Sequence, residues 1–234
     1  MAAAALKRQI LRLPGARPVV ESAYRTRNEA WRLARTRWDG RRLRRLSTSQ
    51  SGLRLNVGAS GNHLQGWLSL DIRPDEVCLG MDATRPWPLE TGCAEAVNSE
   101  HFIEHLSREE AGRYLAEAHR VLEPGGVLRT TTPDLRGLCE LYLQRAPDVL
   151  DAHRSHGYRA ATHGEMLNNY FYCWGHRHLY DFESLGALLQ EVGFERVAQA
   201  DYGHSEHELL RGIDRHGHDR LPGSILCVDA VKPE

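Results

Sequence analysis

"LRLNVGASGNHLQGWLSLDI" occupies residues 53–72. An apolar run, Leu53 to Gly58, enters a glycine turn, and a second run, Trp67 to Ile72, follows and ends in Asp71. Short apolar runs bounded by glycines and acids read as strands. The connecting "NHLQGW" is too short for more than a helical turn.

The same punctuation continues downstream. "EVCLGMD" (76–82) is a third strand ending in an acid, "AEAVNS" (94–99) a fourth and "VLRTTTP" (127–133) a fifth. A helix is predicted over 107–122, with Ser107 as N-cap and Glu110 completing a capping box before "EPGG" stops it. "DFESLGALLQEVGF" is a second helix, from N-cap Asp181 to its stop at Gly193. "FERVAQA" and "SILCVDAVK" are the last two strands. Strands alternating with helices predict an α/β fold: a Rossmann-like, seven-stranded, mostly parallel sheet with helices on both faces. Residues 134–180 interrupt the alternation, an insertion of the length expected for a lid or substrate wall.

Charge divides the chain. Residues 1–50 hold 13 Lys and Arg against 3 acids, and residues 51–234 hold 17 against 28. The first part reads as a basic helical arm, with helix over 20–46 ended by "RRLRR" (41–45) and a linker "STSQSG" at 47–52; the second, from residue 51 to 234, reads as the globular domain. The arm has three open readings: docking on its own acidic domain or on a second copy as a homodimer, peripheral contact with anionic lipid, or a nucleic-acid patch. Net repulsion from the acidic domain argues against nucleic acid. No apolar run approaches the ~18 residues that cross a bilayer, and no secretory leader is visible, so a cytoplasmic protein is expected, with the arm at most peripheral to the inner face of a membrane. Five scattered cysteines without a CxxC pair suggest neither a disulfide framework nor a zinc ribbon.

In an open α/β sheet, ligands bind at the carboxyl ends of the strands. Those ends carry Gly58, Ser60 and Gly61, then Asp71, then Asp82. Glycines let a ligand approach the backbone, and an acid closing the next strand is placed to hold a ribose diol. With little helix after the turn to neutralise a pyrophosphate, a nucleoside without phosphates fits better than a dinucleotide.

"LNVGASGNHLQGWLSLDI", "MDATRPWPLE", "AVNSEHFIEHL", "HRVLEPGGVLRTTTPDL" and "HLYDFESLGALLQEVGF" together resemble the successive motifs of class I S-adenosylmethionine-dependent methyltransferases, most closely the small O-methyltransferases of polysaccharide and glycolipid biosynthesis. The resemblance covers residues 53–231. It implies S-adenosyl-L-methionine as cofactor, with Gly58, Ser60 and Gly61 bordering the methionine moiety, Asp71 on the ribose, Asp82 with Ala83 facing the adenine, and Ser99 and Glu100 under the sulfonium. Asn56 stands where the family usually has an acid.

"NSEHFIEHL" (98–106) carries two carboxylates and two imidazoles. As a helix it would put Glu100, His101, Glu104 and His105 on one arc and Phe102, Ile103 and Leu106 on the other. The pattern also resembles the E-x-x-E-H element of magnesium-dependent O-methyltransferases, with His101 replacing the first Glu; "GHRHLYDFESL" offers a further ligand, His176 or His178. A divalent cation, Mg²⁺ or Mn²⁺, held by His101, Glu104, His105 and His176 is therefore expected, binding neighbouring hydroxyls of a sugar or glycoside. Two alternatives stay open: His105 or His176 as a metal-free general base, and a purely structural cluster. An RNA ribose 2′-hydroxyl is the competing acceptor. "HFIEH" also matches the inverted zinc-peptidase motif, which leaves the glycine turn and both strand-end acids unexplained. Tyr170, Tyr172, Trp174 and Tyr180 in the insertion are either packing residues or a stacking wall for a sugar ring. "GHSEHELLRGIDRHGHDR" (203–220) reads as a solvated loop near the site mouth.

Overall fold

A computed structural model describes residues 34–145, 147–155, 157–215, 221 and 223–234. Residues 34–49 are helical (α1). The strands are β1 (Leu53–Val57), β2 (Leu68–Asp71), β3 (Leu79–Gly80), β4 (Ala94–Glu100), β5 (Leu122–Pro133), β6 (Glu195–Ala200) and β7 (Ile225–Val231). The further helices are α2 (Arg108–Val121), α3 (Leu135–Gln144), α4 (Pro147–Ser155), α5 (His163–Tyr172) and α6 (Phe182–Val192).

The seven strands lie in the order β3-β2-β1-β4-β5-β7-β6. The pairs from β3 to β5 are parallel, and β7 pairs antiparallel with both β5 and β6. This is the expected Rossmann-like sheet. Its register aligns Leu55 with Leu68 and Val97, so the glycine turn after β1 stands beside the ends of β2 and β4.

Burial follows strand alternation. Leu55, Val57, Leu70, Val97 and Leu128 join Leu43 of α1, Tyr114 and Leu115 of α2, and Leu185 and Leu189 of α6 in the main core on one face. On the other face Ala96, Val127 and Val231 meet Leu64, Trp67, Leu209, Leu210 and Ile213, so a turn and the 3-10 helix Glu208–Leu210 cover it among the described residues. The insertion builds its own small core from Leu138, Leu141, Val149, Leu150, Met166, Tyr170 and Leu179.

The helix ends follow local chemistry. Ser107 and Glu110 form the reciprocal capping box of α2, and Asp181 caps α6, which ends on Gly193 at φ 109°. Three expectations need correction. The third strand shrinks to Leu79–Gly80, because Asp75 turns the preceding chain by accepting from the Val77 and Cys78 amides. The arm helix does not stop at its arginine run but continues to residue 49, so most of "STSQ" is helix rather than linker. Its start, expected at residue 20, falls outside the described residues.

The third correction concerns "NSEHFIEHL", which is not an α-helix. β4 runs through Glu100, His101 takes a left-handed conformation at φ 50°, and a single 3-10 turn, Ile103–His105, follows. The His101 amide donates to the Thr131 carbonyl on β5, so the sheet holds on to the chain one residue past the strand.

Candidate active site

The carboxyl ends of β1, β2 and β4 build the first half of the site. Gly58 and Gly61 have φ 70° and 83°, and Ser60 between them has φ 42°. Gly58 must also lack a side chain because the Phe102 ring lies against its Cα. Asn56, buried beneath the turn, donates from Nδ2 to the Asn62 carbonyl at 2.7 Å and accepts from Asn98 at 2.9 Å. A neutral amide thus closes the turn where the resembling family has a charge. Asp71 Oδ2 accepts from the Ser60 amide at 3.1 Å and Oδ1 from the Arg73 amide at 2.7 Å. That carboxylate braces the turn while retaining further lone pairs for a diol.

Asp82 accepts from the Thr84 amide (3.1 Å) and hydroxyl (2.7 Å) and pairs with Arg85 at 3.2 Å. Ala83 is buried in the main core, and its carbonyl receives the Trp87 indole. Ser99 and Glu100 point to opposite sides of β4, as adjacent strand residues must. Ser99 is fully buried against Thr130 at 3.4 Å. Glu100 faces the glycine turn, taking Asn62 Nδ2 at 3.0 Å and the Arg215 amide at 2.9 and 3.0 Å.

The second half lies past β4. Glu104, His105 and His176 each present a ligand atom, and the three atoms lie within 4.8 Å of one another. The insertion delivers His176 because the Arg177 and His178 amides both donate to the Glu104 carbonyl, at 2.8 and 3.2 Å. Arg177 also pairs with Glu110. His176 Nδ1 lies 2.7 Å from the Tyr170 carbonyl, which can only accept, so Nδ1 carries the proton and Nε2 keeps its lone pair. Desolvation holds the His176 pKa below 6.5, favouring the neutral ring.

Glu104 is fully buried. Its Oε1 lies 3.0 Å from His101 Nδ1, and its Oε2 accepts from the Thr132 hydroxyl at 3.1 Å. Burial pushes its carboxyl up, but the hydrogen bond and charge of His101 more than offset this and keep it below its ordinary value. His101 therefore supports Glu104 rather than standing among the three converging groups. Among these residues, Thr132 and the Tyr170 carbonyl carry no sequence signature. His178 turns away to pack on Tyr180 at 4.5 Å.

Trp174 borders this cluster, with its ring centroid 5.4 Å from that of His176, 5.6 Å from Tyr170 and 4.7 Å from Tyr158. It is 43% exposed and sits at φ 56°. Tyr170 and Tyr180 are buried packing residues, while Tyr172 is exposed.

The loop 201–215 is not merely solvated. Arg129, wholly buried in β5, holds Asp214 through two bonds (2.9 and 2.7 Å) and Asp229 of β7 at 2.8 Å. That lock brings the Arg215 amide to Glu100. Its signal was an arginine inside an apolar strand, and register places it opposite Asp229. The rest of the histidine cluster, residues 216–220, lies outside the described residues.

Residues 63–130 match the family described as Methyltransferase domain. The matched segment runs from the turn after β1 into β5, the parallel part of the sheet. No curated protein matches the chain by sequence. Among solved structures, the chain is similar to a SAM-dependent methyltransferase from Archaeoglobus fulgidus, at 16% identity, TM-score 0.45, covering 84% of this chain and 94% of that one. It is also similar to the CurJ carbon methyltransferase (12%, TM-score 0.45, 81% and 50%) and to Haemonchus contortus phosphoethanolamine N-methyltransferase 2 in complex with S-adenosyl-L-methionine (13%, TM-score 0.43, 79% and 50%). The chain spans half the length of these last two.

Proposed function

We propose that this protein is an S-adenosylmethionine-dependent O-methyltransferase that methylates a hydroxyl of a sugar or glycoside with the help of a divalent cation. The observation that carries the proposal is the convergence of Glu104, His105 and His176 just past the end of β4, the strand that pairs with β1. Amines and thiols need little activation, whereas an alcohol does, and a buried carboxylate with two imidazoles suits an acceptor of high pKa.

The donor set fits a cation: one buried carboxylate held ionised, and an imidazole whose Nδ1 is already committed to a carbonyl, as the non-ligating nitrogen of a metal-bound histidine usually is. Glu104, His105 and His176 would hold it, and its charge would lower the pKa of a bound hydroxyl. Mixed nitrogen and oxygen ligands suit Mn²⁺ at least as well as Mg²⁺. Gly58, Gly61 and Asp71 would hold the nucleoside, the first two by leaving the backbone open and the last by accepting from its hydroxyls. As the new O–C bond forms and the C–S bond breaks, the acceptor's proton must leave. His101 and Thr132 keep Glu104 ionised and oriented, and Trp174, beside His176, offers an apolar face for a sugar ring.

A second reading has its own support. With Nδ1 bonded to Tyr170, His176 Nε2 is a ready proton acceptor without any metal. The inverted-peptidase reading has no such support, because His101 and His105 do not share a helix face: His101 is left-handed just past β4, and His105 is the last residue of a 3-10 turn.

Calorimetry with S-adenosylhomocysteine, followed by a labelled-methyl screen of mono- and oligosaccharide acceptors with and without EDTA, tests the proposal. Heat of binding and EDTA-sensitive labelling are expected. Full activity in EDTA leaves the general-base reading, and no labelling of any hydroxylated acceptor refutes the acceptor class.

A further inference from the structure

α1 lies along the outer edge of the sheet. In its first described turn Arg35 meets the Asp75 carbonyl at 3.5 Å, beyond the end of β2, and Ser47 near its end accepts from the Glu90 amide. Asp39, buried, accepts from the Gly80 amide of edge strand β3 at 2.8 Å, and Leu43 enters the main core. Those contacts fix which side of α1 faces outward. Trp38, Arg41, Arg42 and Arg45 fall at i, i+3, i+4 and i+7, one helical face, and all are exposed. Arg37 and Arg44 flank them, also exposed. Among the described residues none of these five arginines pairs with a carboxylate. Trp38 is 68% exposed, and Val77, 66% exposed, lies two residues past Asp75 at the same edge.

We propose that this face of α1 is a docking surface for an anionic lipid bilayer. The helix is anchored by its own apolar and buried polar side, so the outward arginines present a fixed, nearly planar row of positive charge. An indole held among them is the side chain that settles at a lipid headgroup boundary. Phosphate polymers would also meet the arginines, but they gain little from an exposed indole and an exposed valine, and they extend over the rest of a chain whose acids exceed its Lys and Arg. The inference stands apart from the proposed methyl transfer and does not depend on it.

The test is co-sedimentation of the full chain with vesicles of phosphatidylcholine alone and of phosphatidylcholine mixed with phosphatidylglycerol. Binding to the mixed vesicles alone is expected, falling steeply with added salt. Each arginine at such a surface is worth roughly fivefold in affinity, so Arg41→Gln/Arg42→Gln/Arg45→Gln together should weaken binding on the order of a hundredfold. Trp38→Phe should retain binding and Trp38→Ala weaken it, with wild-type fluorescence quenched by brominated lipid more than that of Trp38→Phe. All four positions are exposed, and unchanged circular dichroism verifies that the variants fold. Equal binding to both vesicle types, or undiminished binding by the triple variant, overturns the proposal. Tighter capture of a single-stranded RNA oligonucleotide, lost in the triple variant, would reassign the face to nucleic acid.

Discussion

His101 Nδ1 lies 3.0 Å from Glu104 Oε1, across a turn in which His101 itself is left-handed. The contact converts a buried carboxylate, which desolvation would protonate, into an ionised one aimed at His105 and His176. Glu104→Gln removes the charge and keeps the shape. Leaving His101 without its carboxylate in a buried setting should cost about 3 kcal/mol. Metal content by mass spectrometry after Mn²⁺ loading should fall to background in this variant, while the heat of S-adenosylhomocysteine binding remains.

His176→Asn tests the two readings of the cluster against each other. If a cation is held, Mn²⁺ affinity should fall by about 100-fold or more, since a direct ligand is lost rather than only its outer partner, and raising the Mn²⁺ concentration should restore part of the methyl transfer. A loss of activity that no metal concentration restores would assign His176 as the base.

Asp71→Ala should abolish S-adenosylhomocysteine binding in calorimetry. Because Asp71 also receives the Ser60 and Arg73 amides, Asp71→Asn is the finer variant: its amide oxygen can keep one of these bonds while losing the charge-assisted bond to a diol. An intermediate affinity, roughly tenfold weaker, is expected. An unchanged titration for Asp71→Ala would remove this acid from the cofactor site.

Trp174→Ala should raise KM for a pyranoside acceptor about 5- to 10-fold with little change in kcat, the signature of lost ring stacking rather than lost chemistry. Steady-state kinetics with the acceptor found in the screen measures both. A fall in kcat at constant KM would argue that Trp174 only positions His176.

Stability should decline as the solution becomes acidic. Burial holds the pKa values of His119, His176 and His178 below 6.5, so between that value and their folded values the unfolded chain takes up protons that the folded chain does not. The stability is therefore complete above pH 6.5 and is lost as pH falls through the window beneath it. Thermal melts from pH 7.5 to 5.5 should show a falling Tm, and His119→Gln, remote from the site, should flatten part of that slope.

Arg129 and Asp214 give the site its far wall. Asp214→Ala leaves a buried guanidinium half-paired and should cost about 3–5 kcal/mol. Loss of the Arg215 contact to Glu100 should accompany it, visible as faster amide exchange over residues 201–215.

Much of this protein can be read from local pattern. Strand and helix positions follow from alternation, capping residues and glycines, since these act within a few residues of chain. Ser107, Asp181 and Gly193 stand at the ends predicted for them. The glycine turn between β1 and β2 and the acid closing β2 were equally legible. The helix expected at 98–106 failed because periodicity there was outweighed by the sheet: β5 continues to pair with β4 as far as Glu100 and still bonds the His101 amide, leaving too few residues for more than a 3-10 turn.

The residue chemistry of the site, two imidazoles and a carboxylate in "HFIEH" and another imidazole in "GHRH", was decided by the sequence alone, as were the order of the strands along the chain and the charge of the arm. Which of those groups meet was decided by the tertiary structure. Bringing His176 beside His105, holding His101 back as a partner of Glu104, and turning the arginine face of α1 outward all depend on backbone amides and buried side chains far apart in the chain. Such contacts form only when the whole core closes, and no spacing of letters encodes them.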